Sequence, residues 1–270
     1  IPIGRPGHQL ELSRQLLYFK SNTSDKREDA VGGKADTLQR QIEEAAAVLC
    51  RSHVNLALTG AGISVESGIP DFRSPGGLWE RYDMMEYASI AAFRKNPEKV
   101  WTMLAEMYDT IARAKPNPAH VGLGRLEQIG RMHTVITQNI DNLHREGGSA
   151  NVIEYHGNFK TLSCLSCGAD YNIEEVLDEL PPKCTCGQVL KPDVIFFGET
   201  IPPEALRDSY ELAAACKALL VVGTSAEVTP ANTIPAVAKH AGATIIEINL
   251  QPTHLPESVT DVFLAGRAGE

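Results

Sequence analysis

The stretch NLALTGAGISVESGIPDFR, residues 55–73, is the part of this 270-residue chain that says most about its fold. An apolar run ends in glycine and leads into a glycine-rich loop, which is typical of a buried strand followed by a nucleotide-binding loop. Gly60 and Gly62 match the first two glycines of the G-x-G-x-x-G pattern, whereas Val65 stands where the third would be. The broken pattern predicts an α/β fold with a loop that covers a ligand. A plain surface turn with Phe72 packed inward is the alternative.

Apolar runs alternate with helical patterns along most of the chain. Strands are predicted over residues 55–60, 133–139, 194–199, 218–225 and 244–250, and helices over 35–49, 204–216 and 231–241. Strands that are apolar on both sides and alternate with helices predict a parallel, doubly wound, Rossmann-like sheet. Ligands bind at the carboxyl ends of such strands. Glycine and polar residues gather at several of these ends, so a nucleotide is the expected ligand.

The chain is predicted to contain a main domain, an inserted module and an arm. Residues 1–34 form the N-terminal arm, with a short helix over 10–19, and residues 35–156 and 193–270 form the Rossmann-like domain. Residues 157–192 interrupt the alternation with four cysteines and no convincing core strand, which predicts the inserted module. Parts of residues 74–120 are expected to belong to the same small lobe.

The composition is that of a globular protein, with 43% hydrophobic and 22% charged residues. No apolar run reaches the roughly 18 residues that a membrane span requires, so no membrane partner is expected. A formal net charge of −9 argues against direct nucleic acid binding and favours a cationic peptide as partner. The start of the sequence lacks a signal pattern, and we expect a cytoplasmic location.

Four of the six cysteines lie close together in the inserted module. Cys164-x-x-Cys167 and Cys184-x-Cys186 are separated by 16 residues, a spacing that suits tetrahedral zinc. Four thiolates leave no open position for water, so the zinc is expected to be structural. The second pair is C-x-C rather than C-x-x-C, which leaves open whether both of its thiolates reach the same ion.

His156 precedes a glycine just before the cysteine module, and we expect it to be exposed at the junction of the two lobes. A histidine titrates near neutral pH and can take a proton from a hydroxyl group. A solvated loop histidine without a catalytic role is the alternative.

Several motifs occur in a fixed order: GAGIS, ESGIPDFR, TQNID with a following Leu-His, His-Gly, the cysteine pairs, FGE, GTS and INL. Taken together they resemble the sirtuin family of NAD-dependent protein-lysine deacylases over residues 36–270. The resemblance implies NAD as a consumed co-substrate, one structural zinc ion per chain and acyl-lysine peptides or proteins as substrates. It further implies NAD contacts, with Arg73 beside the phosphates, from Gly60, Ala61, Gly62, Ser64, Asp71, Phe72, Arg73, Gln138, Asn139, Ile140, Asp141, Gly223, Thr224, Ser225, Asn249, Leu250 and Ala268.

The resemblance also implies catalytic roles. His156 would be the general base, Asn139 and Asp141 would line the nicotinamide pocket with Ile140, and Phe72 would guard the reactive ribose carbon. In the implied reaction the acyl-lysine oxygen attacks that carbon as nicotinamide leaves. His156 then deprotonates a ribose hydroxyl, and the acyl group departs as O-acyl-ADP-ribose.

Substrate contacts follow from the same resemblance. The peptide is expected to lie as an added strand between residues 197–199 and 227–230, with contacts from Phe197, Gly198, Glu199, Glu227 and Val228. Glu227 is expected to favour basic peptides. Leu104 and Met107 occupy the positions of the Tyr-x-x-Arg pair of desuccinylating sirtuins, which implies a preference for neutral acyl groups. The alternative is that both residues simply face the core.

Two other functions stay open on the sequence alone. Mono-ADP-ribosyl transfer would use the same NAD site with a different nucleophile. A nucleotide-sensing binding module with a zinc ribbon would use no base at all.

Overall fold

The computed structural model describes residues 32–177 and 179–270, within two units that comprise residues 1–39 and 40–270. In the first unit, the described residues form the beginning of helix α1 (Gly32–Cys50). The predicted arm and its short helix lie outside the described residues, apart from the first residues of α1. The other elements given below belong to the second unit.

The strands of the described residues form two sheets. They are β1 (Asn55–Thr59), β2 (Thr134–Thr137), β3 (Val152–Glu154), β4 (Gly157–Ser163), β5 (Asp170–Asn172), β6 (Lys191–Val194), β7 (Ala218–Val222), β8 (Thr244–Asn249) and β9 (Val262–Ala265). The larger sheet has six strands in the order β3-β2-β1-β7-β8-β9, and the smaller has three in the order β5-β4-β6. The larger sheet is parallel throughout and the smaller is antiparallel. The predicted parallel α/β sheet is confirmed.

The strand order explains where the site lies. From β1 the chain builds outward through β2 and β3, and it later returns to the other side of β1 with β7. Strands β1, β2 and β7 are buried along their whole length, as expected of strands that are covered on both faces. The loops that follow β1 and β7 therefore meet at the switch point of the sheet, where ligands of such folds bind.

Several helices of the second unit begin after a residue whose side chain caps the first turn. The helices of this unit are α2 (Leu78–Arg81), α3 (Met84–Tyr87), α4 (Ile90–Lys95), α5 (Pro97–Arg113), α6 (Pro118–Gln128), α7 (Leu143–Glu146), α8 (Pro203–Ala215) and α9 (Ile234–His240). Helices α5 and α6 each start with proline, after Asn96 and Asn117 whose side chains accept backbone N–H groups of the first turn. Among the described helices, none combines the length and apolar character needed to cross a lipid bilayer.

The smaller sheet shares an apolar core with helices α2 to α5. Trp101 of α5 packs with Phe159 and Leu162 of β4, so the prediction that residues 157–192 hold no core strand is wrong. The predicted main-sheet strand over 194–199 is also wrong. Val194 ends β6 of the smaller sheet, and the following residues turn away because their aromatic side chains pack into the small-lobe core.

Candidate active site

A cavity of about 1140 Å³ lies at the carboxyl edge of the larger sheet, beside the smaller lobe. Its lining includes every predicted cofactor residue and His156, and these are Gly60, Ala61, Gly62, Ser64, Asp71, Phe72, Arg73, Gln138, Asn139, Ile140, Asp141, Gly223, Thr224, Ser225, Asn249, Leu250 and Ala268. The predicted substrate residues Leu104, Met107, Phe197, Gly198, Glu199 and Val228 line the same cavity, whereas Glu227 does not. The fold thus brings residues from eight separate chain segments around one space.

The floor of the cavity is made of backbone from two glycine-containing loops. The N–H of Gly62 donates to the carbonyl of Gly223 at 2.7 Å, and the N–H of Gly60 donates to that of Val222 at 3.1 Å. A Cβ on Gly223, which has φ +60°, would lie 2.2 Å from the nitrogen of Ile63. Val65, which replaces the third glycine of the Rossmann pattern, is 46% exposed, so no close packing requires glycine there. This explains the broken pattern and leaves a cradle that fits a dinucleotide phosphate.

Three buried polar side chains form one network beside this floor. The hydroxyl of Ser64 donates to Asp141 Oδ2 at 2.7 Å, and Asn139 Nδ2 donates to Ser64 Oγ and to the carbonyl of Gly60, both at 3.1 Å. Asp141 Oδ1 also accepts the backbone N–H of Leu143 at 3.0 Å. Because each group is held by partners on other loops, the amide and the carboxylate are fixed before any ligand binds.

His120, which the sequence analysis missed, supports this network from α6. Its Nδ1 accepts the N–H of Asn117 at 3.3 Å, so Nε2 carries the proton and donates to Ser64 Oγ at 3.3 Å. Burial lowers the pKa of His120, although the nearby Asp141 carboxylate opposes the shift. A signal was present, since Asn117, Pro118 and His120 form a helix-capping pattern. That pattern says nothing of the contact with Ser64.

His144, also missed, lies under the site with its ring 4.9 Å from that of His120. Its Nε2 is 2.8 Å from Thr59 Oγ1, whose own proton goes to Thr137 Oγ1. Burial, with a smaller contribution from the neighbouring His120, lowers the pKa of His144 to about 3. The ring is therefore neutral at physiological pH.

His156 lies between β3 and β4, at the point where the chain leaves the larger sheet for the smaller. Its Nδ1 donates to the carbonyl of Gln138 at 3.1 Å, which leaves Nε2 as an acceptor. The residue is half-buried, so the expectation of an exposed histidine is wrong. Burial lowers the pKa of His156, against a smaller opposing effect of the Gln138 carbonyl. A neutral imidazole with a free Nε2 is the form that a general base requires.

Aromatic rings form the side of the cavity that faces the small lobe. Phe72 stacks on Trp79 with ring centroids 5.2 Å apart, and Trp79 contacts Phe197 at 6.5 Å. Phe197 makes a single parallel bridge with Ser89, and neither 197–199 nor 227–230 forms a strand in this structure. The ring of Phe72 is thus supported, through Trp79, by Phe197, which belongs to the segment predicted to contact the substrate peptide.

Leu104 and Met107 occupy the apolar part of the lining on α5. Leu104 is buried in the small-lobe core and Met107 is half-buried against it. Arg81 also lines the cavity, but its Nη2 lies 3.0 Å from Glu106 Oε2. Glu106 Oε1 in turn accepts the hydroxyl of Tyr82 at 2.6 Å. The cation on this side of the cavity is therefore already paired with a carboxylate.

The carboxylate of Glu227 connects two basic side chains. Its Oε2 lies 2.8 Å from Nε of Arg73, and its Oε1 lies 2.9 Å from Nε2 of His254. All three side chains are substantially exposed, so each contact contributes little to stability. Arg73, expected beside the phosphates, has its guanidinium oriented by Glu227 through this contact.

The four cysteines of the module come together as one group. Their sulfur atoms all lie within 4.8 Å of one another, and the Cys164–Cys186 and Cys167–Cys184 separations are each 3.5 Å. Tetrahedral zinc with bonds of about 2.3 Å would hold its sulfur ligands about 3.8 Å apart. Both thiolates of the C-x-C pair can therefore reach one ion, and the donor set fits structural zinc.

Comparison with known proteins agrees with this geometry. Residues 60–230 match the model of the Sir2 family. The chain is 46% identical over 224 residues to NAD-dependent protein deacylase 2 of Pyrobaculum aerophilum, covering 83% of this chain and 90% of the relative. It is 47% identical over 236 residues to the NAD-dependent protein deacylase of Pyrococcus abyssi, covering 85% and 94%. The chain belongs to the Sir2 family.

Solved Sir2 structures support the membership and the cofactor. A structure described under "Structural Basis for the Mechanism and Regulation of Sir2 Enzymes" has a TM-score of 0.81 and 43% identity, and the match covers 86% of this chain and 94% of that one. One described as "Sir2-p53 peptide-NAD+" has a TM-score of 0.78 and 35% identity, with 84% and 94% covered. The sirtuin resemblance is confirmed, and the names of these relatives support the expected enzyme class and NAD as its cofactor.

Proposed function

We propose that this Sir2-family protein is an NAD-dependent protein-lysine deacetylase that transfers the acyl group of lysine to ADP-ribose and releases nicotinamide. Bound NAD would supply the electrophilic ribose carbon and the hydroxyl group that receives the acyl group. The backbone floor around Gly62 and Gly223 would hold its phosphates, and Asn249 and Leu250 would border its adenosine. The deacylase names of the two archaeal relatives support this activity.

The observation that carries the proposal is the state of His156. Its Nδ1 is committed to the carbonyl of Gln138, so Nε2 is left to accept a proton within the cavity lined by the glycine floor. Because burial lowers its pKa, the ring is neutral at pH 7 and able to act as a base. A pure nucleotide-binding module would have no use for such a group.

Asn139 and Asp141 would receive the nicotinamide end. Both are buried, and Ser64 contacts both of them, which fixes the amide relative to the carboxylate. A carboxamide offers a donor and an acceptor, and these two side chains can complement both. Phe72, stacked on Trp79, would cover the reacting carbon and keep water from it.

A preference for acetyl over succinyl groups is part of the proposal. Leu104 and Met107 present apolar surface to the cavity, and the guanidinium of Arg81 is already paired with Glu106. A succinyl carboxylate placed here would lose its water without gaining a free cation, which is costly. A neutral acyl chain meets no such cost, and the flexible Met107 can adapt to its length.

One assay tests these statements together. Nicotinamide release from NAD is measured with acetyl-lysine peptide, succinyl-lysine peptide, unmodified peptide and no peptide, alongside mass analysis of peptide and enzyme. We expect release that depends on the acetyl-lysine peptide, with kcat/KM at least about tenfold above that for succinyl-lysine. The Leu104→Tyr/Met107→Arg variant should reduce that preference, because it adds a cation and a hydroxyl to the apolar wall.

The alternatives correspond to other outcomes of the same assay. Release that needs no acyl peptide and labels protein with ADP-ribose would indicate mono-ADP-ribosyl transfer. Binding of NAD without any release would indicate a sensing module, and a higher kcat/KM for succinyl-lysine would contradict the acyl preference. The proposal includes a reducing location such as the cytoplasm, where zinc thiolates stay unoxidised.

A further inference from the structure

Lys191 is a buried cation to which the proposed chemistry assigns no role. It begins β6 in the small lobe, and only 5% of its surface is exposed. Its Nζ donates to the carbonyls of Pro192 at 3.0 Å and Val194 at 2.7 Å, and it lies 3.0 Å from Glu199 Oε2. These three contacts satisfy the three hydrogens of the ammonium group, so the side chain has a single defined position.

Glu199 completes a compact cluster of polar contacts around the turn at residues 195–199. The carboxylate oxygen that faces Lys191 also accepts the backbone N–H of Phe196 at 2.8 Å, and the N–H of Glu199 donates back to the carbonyl of Phe196 at 2.9 Å. The ammonium group of Lys191 also lies 4.5 Å from the centre of the Phe196 ring. The turn between Phe196 and Glu199 is therefore shaped by an ion pair between the buried Lys191 and the half-buried Glu199, whose side chain is 21% exposed.

The turn at residues 195–199 connects His156 to the side of the cavity that is proposed to bind the substrate peptide. The N–H of Ile195 donates to the carbonyl of His156 at 2.9 Å, and Phe197 exchanges backbone hydrogen bonds with Ala88 and Ile90 at 2.9 and 3.0 Å. Phe197 and Gly198 line the cavity directly. A change in the turn would move the cavity wall that is proposed to contact the acyl-lysine peptide, while the glycine floor after β1 and β7 would stay in place.

An ion pair with a buried ammonium group is a poor source of stability, because the cost of removing that charge from water offsets the attraction. The hydrogen bonds from Lys191 to the carbonyl of Val194 and from the N–H of Phe196 to Glu199 point instead to a role in positioning the turn. We propose that Lys191 and Glu199 are positioning residues that set the shape of the 195–199 turn for binding of the acyl-lysine peptide. This inference rests on the proposed function. Glu199 then acts through the turn rather than by offering its carboxylate to the peptide.

Three variants test the pair. Lys191→Met keeps the length of the side chain without its charge, Lys191→Arg keeps the charge, and Lys217→Met removes an exposed lysine as the matched control. In Lys191→Met we expect the Kd and KM for an acetyl-lysine peptide to rise about tenfold, with kcat within about threefold of the parent. The Kd for NAD should not change. Lys217→Met should bind the peptide within about threefold of the parent. Lys191→Arg should bind it more tightly than Lys191→Met, because it keeps the charge.

Glu199→Gln keeps the experiment decisive if Lys191→Met does not fold, since glutamine retains an oxygen for the N–H of Phe196 and loses only the charge. Parent-like peptide affinity in folded Glu199→Gln or Lys191→Met overturns the inference. Equal losses of NAD and peptide affinity without recovery in Lys191→Arg also overturn it, because they indicate a general structural role. Peptide Kd, measured by fluorescence anisotropy, needs no turnover. Absence of deacetylation by the parent would thus refute the proposed function separately, and a parent that binds no acetyl-lysine peptide would overturn both.

Discussion

Replacing His144 by glutamine should make the fold less sensitive to acid. Burial holds the pKa of this ring at about 3, against about 6.5 in an unfolded chain. Between pH 6.5 and pH 3, His144 binds a proton in the unfolded chain but stays neutral in the folded protein. The free energy of unfolding therefore falls as the pH is lowered toward 3. Each pH unit in this window corresponds to about 1.4 kcal/mol, so His144 alone should cost about 2 kcal/mol at pH 5.

Urea unfolding at pH 8 and pH 5, followed by circular dichroism, measures this cost. Between the two pH values the free energy of unfolding should fall by about 2 kcal/mol less in His144→Gln than in the parent. His240→Gln removes an exposed histidine of α9 and controls for the loss of a histidine as such. Loss of zinc in acid affects all three proteins and cancels in the comparison. An identical pH dependence of parent and His144→Gln would refute the argument from burial.

Three further predictions concern the site and the metal. His156→Ala should keep its fold and its affinity for NAD but lose about 10²- to 10⁴-fold in kcat for deacetylation. A near-parental kcat in the folded variant would exclude the role of His156 as general base. Purified protein should contain about one zinc per chain, and Cys186→Ser or chelation should lower the Tm by about 10 °C or more; metal-free protein with the parental Tm would contradict the zinc module. Gly223→Ala should abolish NAD binding measured by calorimetry, because its Cβ would lie 2.2 Å from the nitrogen of Ile63. Parental affinity for NAD would mean that the two loops do not pack as described.

The sequence was most informative where one local pattern determines the structure. Strands β1, β2, β7 and β8 were predicted because their apolar runs must be buried wherever they lie. The cysteine group was predicted because two close pairs of cysteines at that separation suit tetrahedral zinc. The run at 194–199 was equally apolar, but apolarity alone does not say which of two cores receives a segment. Strand β3 was missed because three residues are too few to show a period.

Residues whose role depends on distant partners could not be found in this way. His120 and His144 meet only because α6 and α7 fold against each other, and 23 positions separate them in the chain. Lys191 was unremarkable as one lysine before a proline, and its contact with Glu199 appears only once the turn at 195–199 is formed. The half-buried state of His156 likewise follows from the packing of two lobes rather than from its neighbours in sequence.

The backbone floor of the cavity restricts how this enzyme can be redesigned. Gly62 and Gly223 present peptide groups rather than side chains. A substitution there therefore cannot enlarge the cavity or add a charge to its floor without separating the two loops. Variation has to act at the rim, where Leu250 is 68% exposed and Asn249 and Ala268 also border the cavity. A mutant library restricted to these rim positions would test the binding of dinucleotide analogues while the backbone floor stays the same.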